Sequence, residues 1–386
     1  MKPPNLGSRQ PEFQALIQRI EATEPDPRIV AARIAMLCAD YGAALDILNA
    51  IPSPHFQATC LIGDSLALAG KVDEAIAFIE QAEREYPISP MRRACLLLGS
   101  GRYREAYAPL RYRKIQRSPF PWPRARTMRD IRGRALFLAS EQGVGDGIMF
   151  ARFIAPLGKH AAGMTIGAHH ESARLLADLQ HSASFAGPPR GAVWCLAMDA
   201  LEILGVTAKT IPPAPYLDVS ADLIAARLLP ATRKMRVGLC WAGRCDRSPN
   251  GNWDIDLVRS IPPEFLAPLL EVGGVEFVSL MHPGNHEPGP LSINCVVGAD
   301  FDMADTAAVI VQVDLVISVD TAIAHVAGAV GTPVWLMNRH MGDWRWGWTR
   351  TERTPWYQSM RIFTQDRPYE WTPVIDRVRR ELAAMT

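Results

Sequence analysis

The chain has 386 residues, a formal net charge of +1, 48% hydrophobic and 21% charged residues. That length holds two or three domains with a sizeable core. The balanced charge gives no support for a nucleic-acid partner or a polybasic membrane contact, and no apolar run is long enough to span a bilayer. The seven cysteines, Cys38, Cys60, Cys95, Cys195, Cys240, Cys245 and Cys295, are scattered and contain no Cys-x-x-Cys pair. Reduced thiols in a cytoplasmic protein are therefore expected, rather than a disulfide framework or a zinc site. The start, Met-Lys-Pro-Pro-Asn-Leu-Gly-Ser, has no apolar signal core.

Residues 1–27 form an amino-terminal segment, and residues 28–116 read as helical repeats. Tyr41-Gly-Ala-Ala-Leu-Asp-Ile-Leu, Val72-Asp-Glu-Ala-Ile-Ala-Phe-Ile and Tyr103-Arg-Glu-Ala-Tyr-Ala-Pro-Leu align without gaps, their starts 31 residues apart. Ala44, Ala75 and Ala106 fall in register, as do Leu48, Ile79 and Leu110. A small residue at a fixed place lets paired helices approach, and a period near 30 marks stacked hairpins. The run Gly63-Asp-Ser-Leu-Ala-Leu-Ala-Gly70-Lys-Val-Asp-Glu-Ala75-Ile resembles a tetratricopeptide repeat, with a period shorter than the usual length of about 34. Such a stack can recruit a protein partner or another copy of the chain. Arg117-Ser-Pro-Phe-Pro-Trp-Pro cannot be regular helix, so residues 117–130 are assigned as a Pro-rich linker.

Residues 131–215 read as a first α/β lobe. Arg134 to Ser140 is a strand, followed by Glu141-Gln-Gly-Val-Gly-Asp146-Gly-Ile-Met-Phe-Ala-Arg152. Gly143, Gly145 and Gly147 are expected to turn the backbone, with a helix starting near Asp146. A carboxylate there can take a proton from an acceptor hydroxyl, or simply cap its helix. Ala162 to His169, Ala183 to Phe185 and Trp194 to Leu196 supply further strands.

Residues 216–386 read as a second α/β lobe. Met235 to Trp241 is a strand opening onto a polar loop in which Arg244 and Arg247 can neutralise phosphate. Val275 to Leu280 is a strand ending in Met281. Val313 to Leu336 reads as strand, tight turn, helix, strand. Asp320 can cap the helix or instead hold the loop with Thr321 facing the ligand, and Thr321 and His325 share one face of the helix. Free N–H groups of its first turn, beside a hydroxyl and an imidazole, suit a diphosphate. The aromatic stretch Asp343-Trp-Arg-Trp-Gly-Trp348 offers Trp344 and Arg345 as ligand contacts, although packing onto the sheet explains most such residues.

These motifs, together with Cys240-Trp-Ala-Gly, Arg259-Ser-Ile-Pro and Pro355-Trp-Tyr-Gln-Ser-Met-Arg-Ile-Phe, resemble tetratricopeptide-repeat proteins carrying a catalytic module similar to the family 9 ADP-heptose:lipopolysaccharide heptosyltransferases. The resemblance implies an α-helical repeat domain followed by a GT-B architecture of two Rossmann-like lobes. It implies an inverting, metal-independent glycosyltransferase with a nucleotide-sugar donor, a protein or glycan acceptor, and no cofactor. Asp146 matches the catalytic base. Asp320, Thr321, Ala322 and His325 match the segment that holds the donor diphosphate, with Ala322 where the heptosyltransferases have Gly. Those enzymes also place a Lys near the phosphates; here Arg244 or Arg247 would serve, with Met281 nearby. Gly145, Gly147, Arg152, Trp344 and Arg345 are acceptor-side or lid candidates. The alternative is a retired transferase acting as a scaffold through its repeats. A nucleotide-sugar epimerase also uses paired α/β lobes, but leaves the helical repeats unexplained.

Overall fold

The computed structural model describes residues 4–52, 55–86, 88–111, 122–177, 179, 182–183, 190–244, 253–283, 291–348 and 351–386. Helices α1 (Gln10–Thr23), α2 (Pro27–Leu37), α3 (Tyr41–Asn49), α4 (Phe56–Leu68), α5 (Val72–Glu85), α6 (Met91–Gly99) and α7 (Tyr103–Arg111) open the chain. Asp26 and Asp40 start α2 and α3 by accepting from the Arg28 and Ala43 backbone N–H groups at 2.9 and 3.1 Å. Helices α2 and α3, α4 and α5, and α6 and α7 pack as successive hairpins. The second helix of each begins at Tyr41, Val72 or Tyr103, so the sequence period is also a structural one. Ala44, Ala75 and Ala106 are each 0% exposed, which shows why that position stays small. The facing helix is equally tight: a methyl group at Gly63 would lie 2.8 Å from Ile79 Cγ1.

The first lobe holds α8 (Met128–Ile131), β1 (Ala135–Ala139), α9 (Val144–Phe150), α10 (Ile154–Gly158), β2 (Gly163–Gly167), α11 (Ala173–Ala177), β3 (Ser182–Ala183), β4 (Val193–Leu196) and α12 (Asp199–Ile203). Its parallel sheet runs β3-β2-β1-β4. The expected strand at Ala183 to Phe185 falls mostly outside the described residues. Residues 122–127, assigned to the linker, already belong to this lobe: Ala125 donates to the Trp194 carbonyl at 2.7 Å, and Arg124 pairs with Asp199 at 2.7 Å.

The second lobe holds α13 (Ala221–Ala226), β5 (Met235–Cys240), α14 (Trp253–Arg259), α15 (Ala267–Leu270), β6 (Val275–Ser279), β7 (Asn294–Cys295), α16 (Met303–Ile310), β8 (Leu315–Ser318), α17 (Ala322–Val330), β9 (Val334–Asn338), β10 (Met360–Thr364) and α18 (Thr372–Ala383). Its parallel sheet runs β10-β9-β8-β5-β6-β7. The inner strands β5 and β8 are apolar and buried, as a sheet covered on both faces requires. Strand order reverses between β5 and β8 here, and between β1 and β4 in the first lobe. Each reversal opens a crevice at the carboxyl ends of the strands, the usual ligand position in such sheets.

The helical region touches both lobes. Arg9 makes a buried ion pair with Asp256 at 2.9 Å, and Leu6, Phe13, Leu16 and Ile20 pack with Leu257 and Tyr369. Helix α1 is therefore seated on the second lobe. Tyr107 donates to the Val206 carbonyl and Arg111 pairs with Glu202 on the first lobe. Among the described residues, no helix is long and apolar enough to cross a membrane.

At the junction of α6 with the second lobe, Trp348 donates from its backbone to the Gly99 carbonyl at 3.0 Å, and from its indole to the Cys95 carbonyl at 3.3 Å. A methyl group at Gly99 would lie 2.0 Å from Trp348 Nε1. Gly99→Ala should lower stability by about 1–3 kcal/mol through overpacking. Urea unfolding reads this as a lower midpoint at unchanged slope.

Candidate active site between the two lobes

The crevice is built where the first turns of α9 and α17 meet. Helix α17 begins at Ala322, with Thr321 in extended conformation at its N-cap and no side-chain cap bond. The expected Asp320 cap is thus not formed. Extended residues of either type can take that position, and here the chain enters the helix one residue later. The Thr321 hydroxyl instead lies 3.2 Å from Ser318 Oγ and 3.6 Å from Cys240 Sγ. Among the described residues, no side chain accepts from the first-turn N–H groups of α17, at the β5–β8 reversal. Gly331, at φ +88°, ends the helix in the left-handed conformation.

Across the crevice, the turn after β1 is made by Gln142, at φ +64°, rather than by the glycines. Gly143 is the N-cap of α9, and Gly145 and Gly147 lie inside the helix. Their small size serves close approach. A methyl group at Gly145 would lie 2.7 Å from His325 Cδ2 and 3.3 Å from Ala322 Cα. At Gly147 it would lie 3.2 Å from Ser140 Oγ.

Asp146 stands at the third position of α9. Its Oδ2 accepts from Gly143 N–H at 2.9 Å, and its Oδ1 accepts from Arg345 of the second lobe. It is therefore both a helix cap and one half of an interlobe ion pair. Burial pushes its carboxyl above the usual range; Arg345 and the Gly143 N–H pull it down, and Asp343 adds to the rise. Arg345 also binds Asp343 and donates to Gln142 Oε1 at 3.0 Å. Burial works against its charge, yet Asp343, Asp146 and Asp320 together hold it firmly protonated. Asp320 is likewise raised, by burial first and by Asp343 second.

Several candidates are buried among protein partners. Trp344 is 3% exposed and packs on Phe150 and Trp356, at ring distances of 6.5 and 5.7 Å. It is a core aromatic, as the general tendency of such rings indicated. Arg345 is 7% exposed and committed to the interlobe ion pairs. Arg152, placed among the acceptor-side or lid residues, is a buried brace. It donates to the Trp356 carbonyl at 2.6 Å, to Pro212 and Met149 carbonyls at 3.0 Å, and to Tyr216 Oη at 3.2 Å. Its guanidinium lies over the rings of Tyr216 and Tyr357 at 4.5 and 4.8 Å.

Besides Arg345, a second cation stands at the crevice, from the Arg259-Ser-Ile-Pro motif. Arg259, in the last turn of α14, donates to the Asp320 carbonyl at 3.4 Å and sits 3.5 Å from Asp256. A methyl group at Gly243 would lie 2.2 Å from its Nη2, so Gly243 lets the guanidinium lie against the backbone. Arg244 instead points away, with an 80% exposed side chain 4.0 Å from Glu171 of the first lobe. Arg247 lies outside the described residues. Met281 is buried, its Sδ 3.6 Å from Cys240 Sγ. The stretch from Gly243 to Arg259 contains no lysine, and Arg259 closes it.

His325 is 4% exposed, stacks on Trp346 at 5.1 Å, and has Nδ1 2.9 Å from Tyr357 Oη. Burial, then the charges of Arg345 and Arg152, hold its pKa well below 6.5. The folded state keeps it neutral while the unfolded chain takes up a proton below about pH 6.5. Its contribution to stability is therefore full above that pH and falls as pH drops toward the folded value. His325→Gln should remove this slope. Urea midpoints of both proteins from pH 8 to pH 5 should converge on acidification, by at most about 1.4 kcal/mol per pH unit.

Residues 289–380 match the family described as Glycosyltransferase family 9 (heptosyltransferase). A curated relative, Protein FlbA of Caulobacter vibrioides, is 28% identical over 362 residues, covering 81% of this chain and 59% of its own length. The chain thus spans about three fifths of that relative. Among solved structures, the family 9 glycosyl transferase from Veillonella parvula is similar with 12% identity and a TM-score of 0.44, covering 64% of this chain and 92% of its own. The ADP-heptose lps heptosyltransferase II of E. coli is similar with 11% identity and a TM-score of 0.44, covering 65% and 98% respectively. The stretch 289–380, which contains Asp320, α17 and Arg345, is similar to glycosyltransferase family 9 (heptosyltransferase).

Proposed function

We propose that this chain is an inverting, metal-independent glycosyltransferase that moves a sugar, of hexose or heptose type, from a nucleoside-diphosphate donor to a hydroxyl. The observation that carries the reading is the pairing of two features across one crevice. On the second lobe stand the side-chain-uncapped first turn of α17 and the guanidinium of Arg259. On the first lobe stands Asp146, its carboxyl raised by burial. Match to a family 9 model over residues 289–380 supports the same chemistry.

In this reading the donor diphosphate lies on the N–H groups of α17, beside Thr321, with Arg259 neutralising charge. The acceptor hydroxyl approaches from α9. Its oxygen attacks the anomeric carbon as the carbon–oxygen bond to phosphate breaks, and the nucleoside diphosphate leaves with the electron pair. The hydroxyl proton passes to Asp146. Each Asp146 oxygen already accepts one bond, from Arg345 or from Gly143 N–H. A carboxylate has about four acceptor positions, so a hydroxyl can still be received. Raised proton affinity makes this carboxylate a better base than an exposed aspartate. Arg259 and the helix N–H groups supply the charge stabilisation that a metal gives other enzymes. The free thiols agree with a cytoplasmic setting, where the reaction is placed.

The test uses the full chain with ADP-, GDP-, UDP- and CDP-sugars, following release of nucleoside diphosphate. Asp146→Asn should lower release by about 10²–10⁴-fold. Wild-type release in the variant would remove the base assignment. No release from any donor by the wild-type protein would favour the scaffold reading.

A further inference from the structure

A cleft of about 780 Å³ separates the amino-terminal helices from the second lobe. On the helical side Leu16, Ile20, Leu37 and Leu61 line it; Ile255 and Val258 of α14 face them. Charge within it is one-sided. Three arginines, Arg19, Arg33 and Arg339, line the cleft, against one acid, Asp64, which Arg92 already holds at 2.6 Å. Neither Arg33 nor Arg339 has a hydrogen-bond or ion-pair partner among the described residues. The floor carries unmet donors as well. Gln365 is 1% exposed; its Oε1 accepts from His340 N–H at 3.0 Å, while its buried Nε2 has no partner. Arg339 Nε is buried in the same condition. Buried donors without acceptors are costly, and a ligand that brings acceptors and negative charge removes the cost.

We propose that this cleft binds an extended polypeptide segment bearing acidic and apolar side chains, presented by the acceptor protein. The proposal rests on the transferase reading for the word acceptor. Apolar walls from four helices favour a peptide over an acidic glycan, whose surface is polar throughout. Peptide carbonyls suit the unmet donors of Gln365 and Arg339, and carboxylates suit Arg33 and Arg339. Arg339 directly follows β9, and Asp320 lies just past β8, its parallel neighbour in the sheet, so both stand at the same carboxyl edge. A segment held here therefore lies next to the reacting centre. Docking of α1 and α2 on the second lobe then has a purpose beyond stability: it forms one wall of the acceptor site.

The test is affinity selection of a random decapeptide phage library on the immobilised full chain, on Arg33→Glu, and on Met36→Trp, which fills the cleft. Wild-type protein should enrich sequences combining Asp or Glu with Leu, Ile, Val or Phe. The synthesised consensus peptide, followed by fluorescence anisotropy, should bind both variants about tenfold or more weakly. Both variants should keep thermal stability and nucleotide release. No consensus, or a consensus whose affinity neither variant changes, overturns the proposal. So does binding of a polygalacturonate fragment by a protein that binds no peptide. Selection needs no donor, so nucleotide release separates the two readings: release without peptide binding sinks only the cleft. Peptide binding without release sinks the transferase reading and leaves a partner site.

Discussion

The two lobes are braced by a buried arginine that has no carboxylate partner among the described residues. Arg152 is 3% exposed, and its charge is met by the Trp356, Pro212 and Met149 carbonyls, by Tyr216 Oη and by the faces of Tyr216 and Tyr357. A guanidinium suits this task because it donates in several directions while stacking on rings. One side chain of the first lobe thereby fixes the aromatic segment of the second. That segment carries Trp346, which stacks on His325, and Tyr357, which binds His325 Nδ1. The placement of α17 against α9 follows from this brace.

Within that frame the crevice is an electrostatic compromise. Asp146, Asp320 and Asp343 surround Arg345, and burial raises both Asp146 and Asp320. The charges of Arg259, Arg345 and Arg339 act against the rise at Asp320. A donor diphosphate would meet Arg259 and the helix N–H groups. An acceptor hydroxyl would meet Asp146 of the first lobe. In a displacement reaction negative charge develops on the leaving group while a proton moves the other way.

The 31-residue period was legible because a small residue must recur wherever paired helices touch, and Ala44, Ala75 and Ala106 are all buried. The strands were legible from their apolar, β-branched runs, and α17 from its small residues and its terminal Gly331. Asp146 was legible from its position after a strand. What escaped was set by contacts between distant segments. Thr321 and Asp320 are both good N-caps, and only the path of the chain decides between them. Three glycines suggested a turn, whereas Gln142 makes it and Gly145 answers to His325 in the other lobe. Arg345 became the partner of Asp146 across 199 positions of sequence. Arg259 reaches Asp320 from a different helix, anchored by Asp256, which Arg9 of the amino-terminal segment also binds.

The account stands most directly on the anion site formed by Arg259 and the first turn of α17. Calorimetric titration of the full chain with ADP, GDP, UDP and CDP, repeated on Arg259→Ala, tests it. One nucleotide should bind saturably, and the variant should lose about 1.5–3 kcal/mol of affinity, the usual range for a hydrogen bond to a charged group. Equal affinity in both proteins, or no binding of any of the four at millimolar concentration, would contradict it.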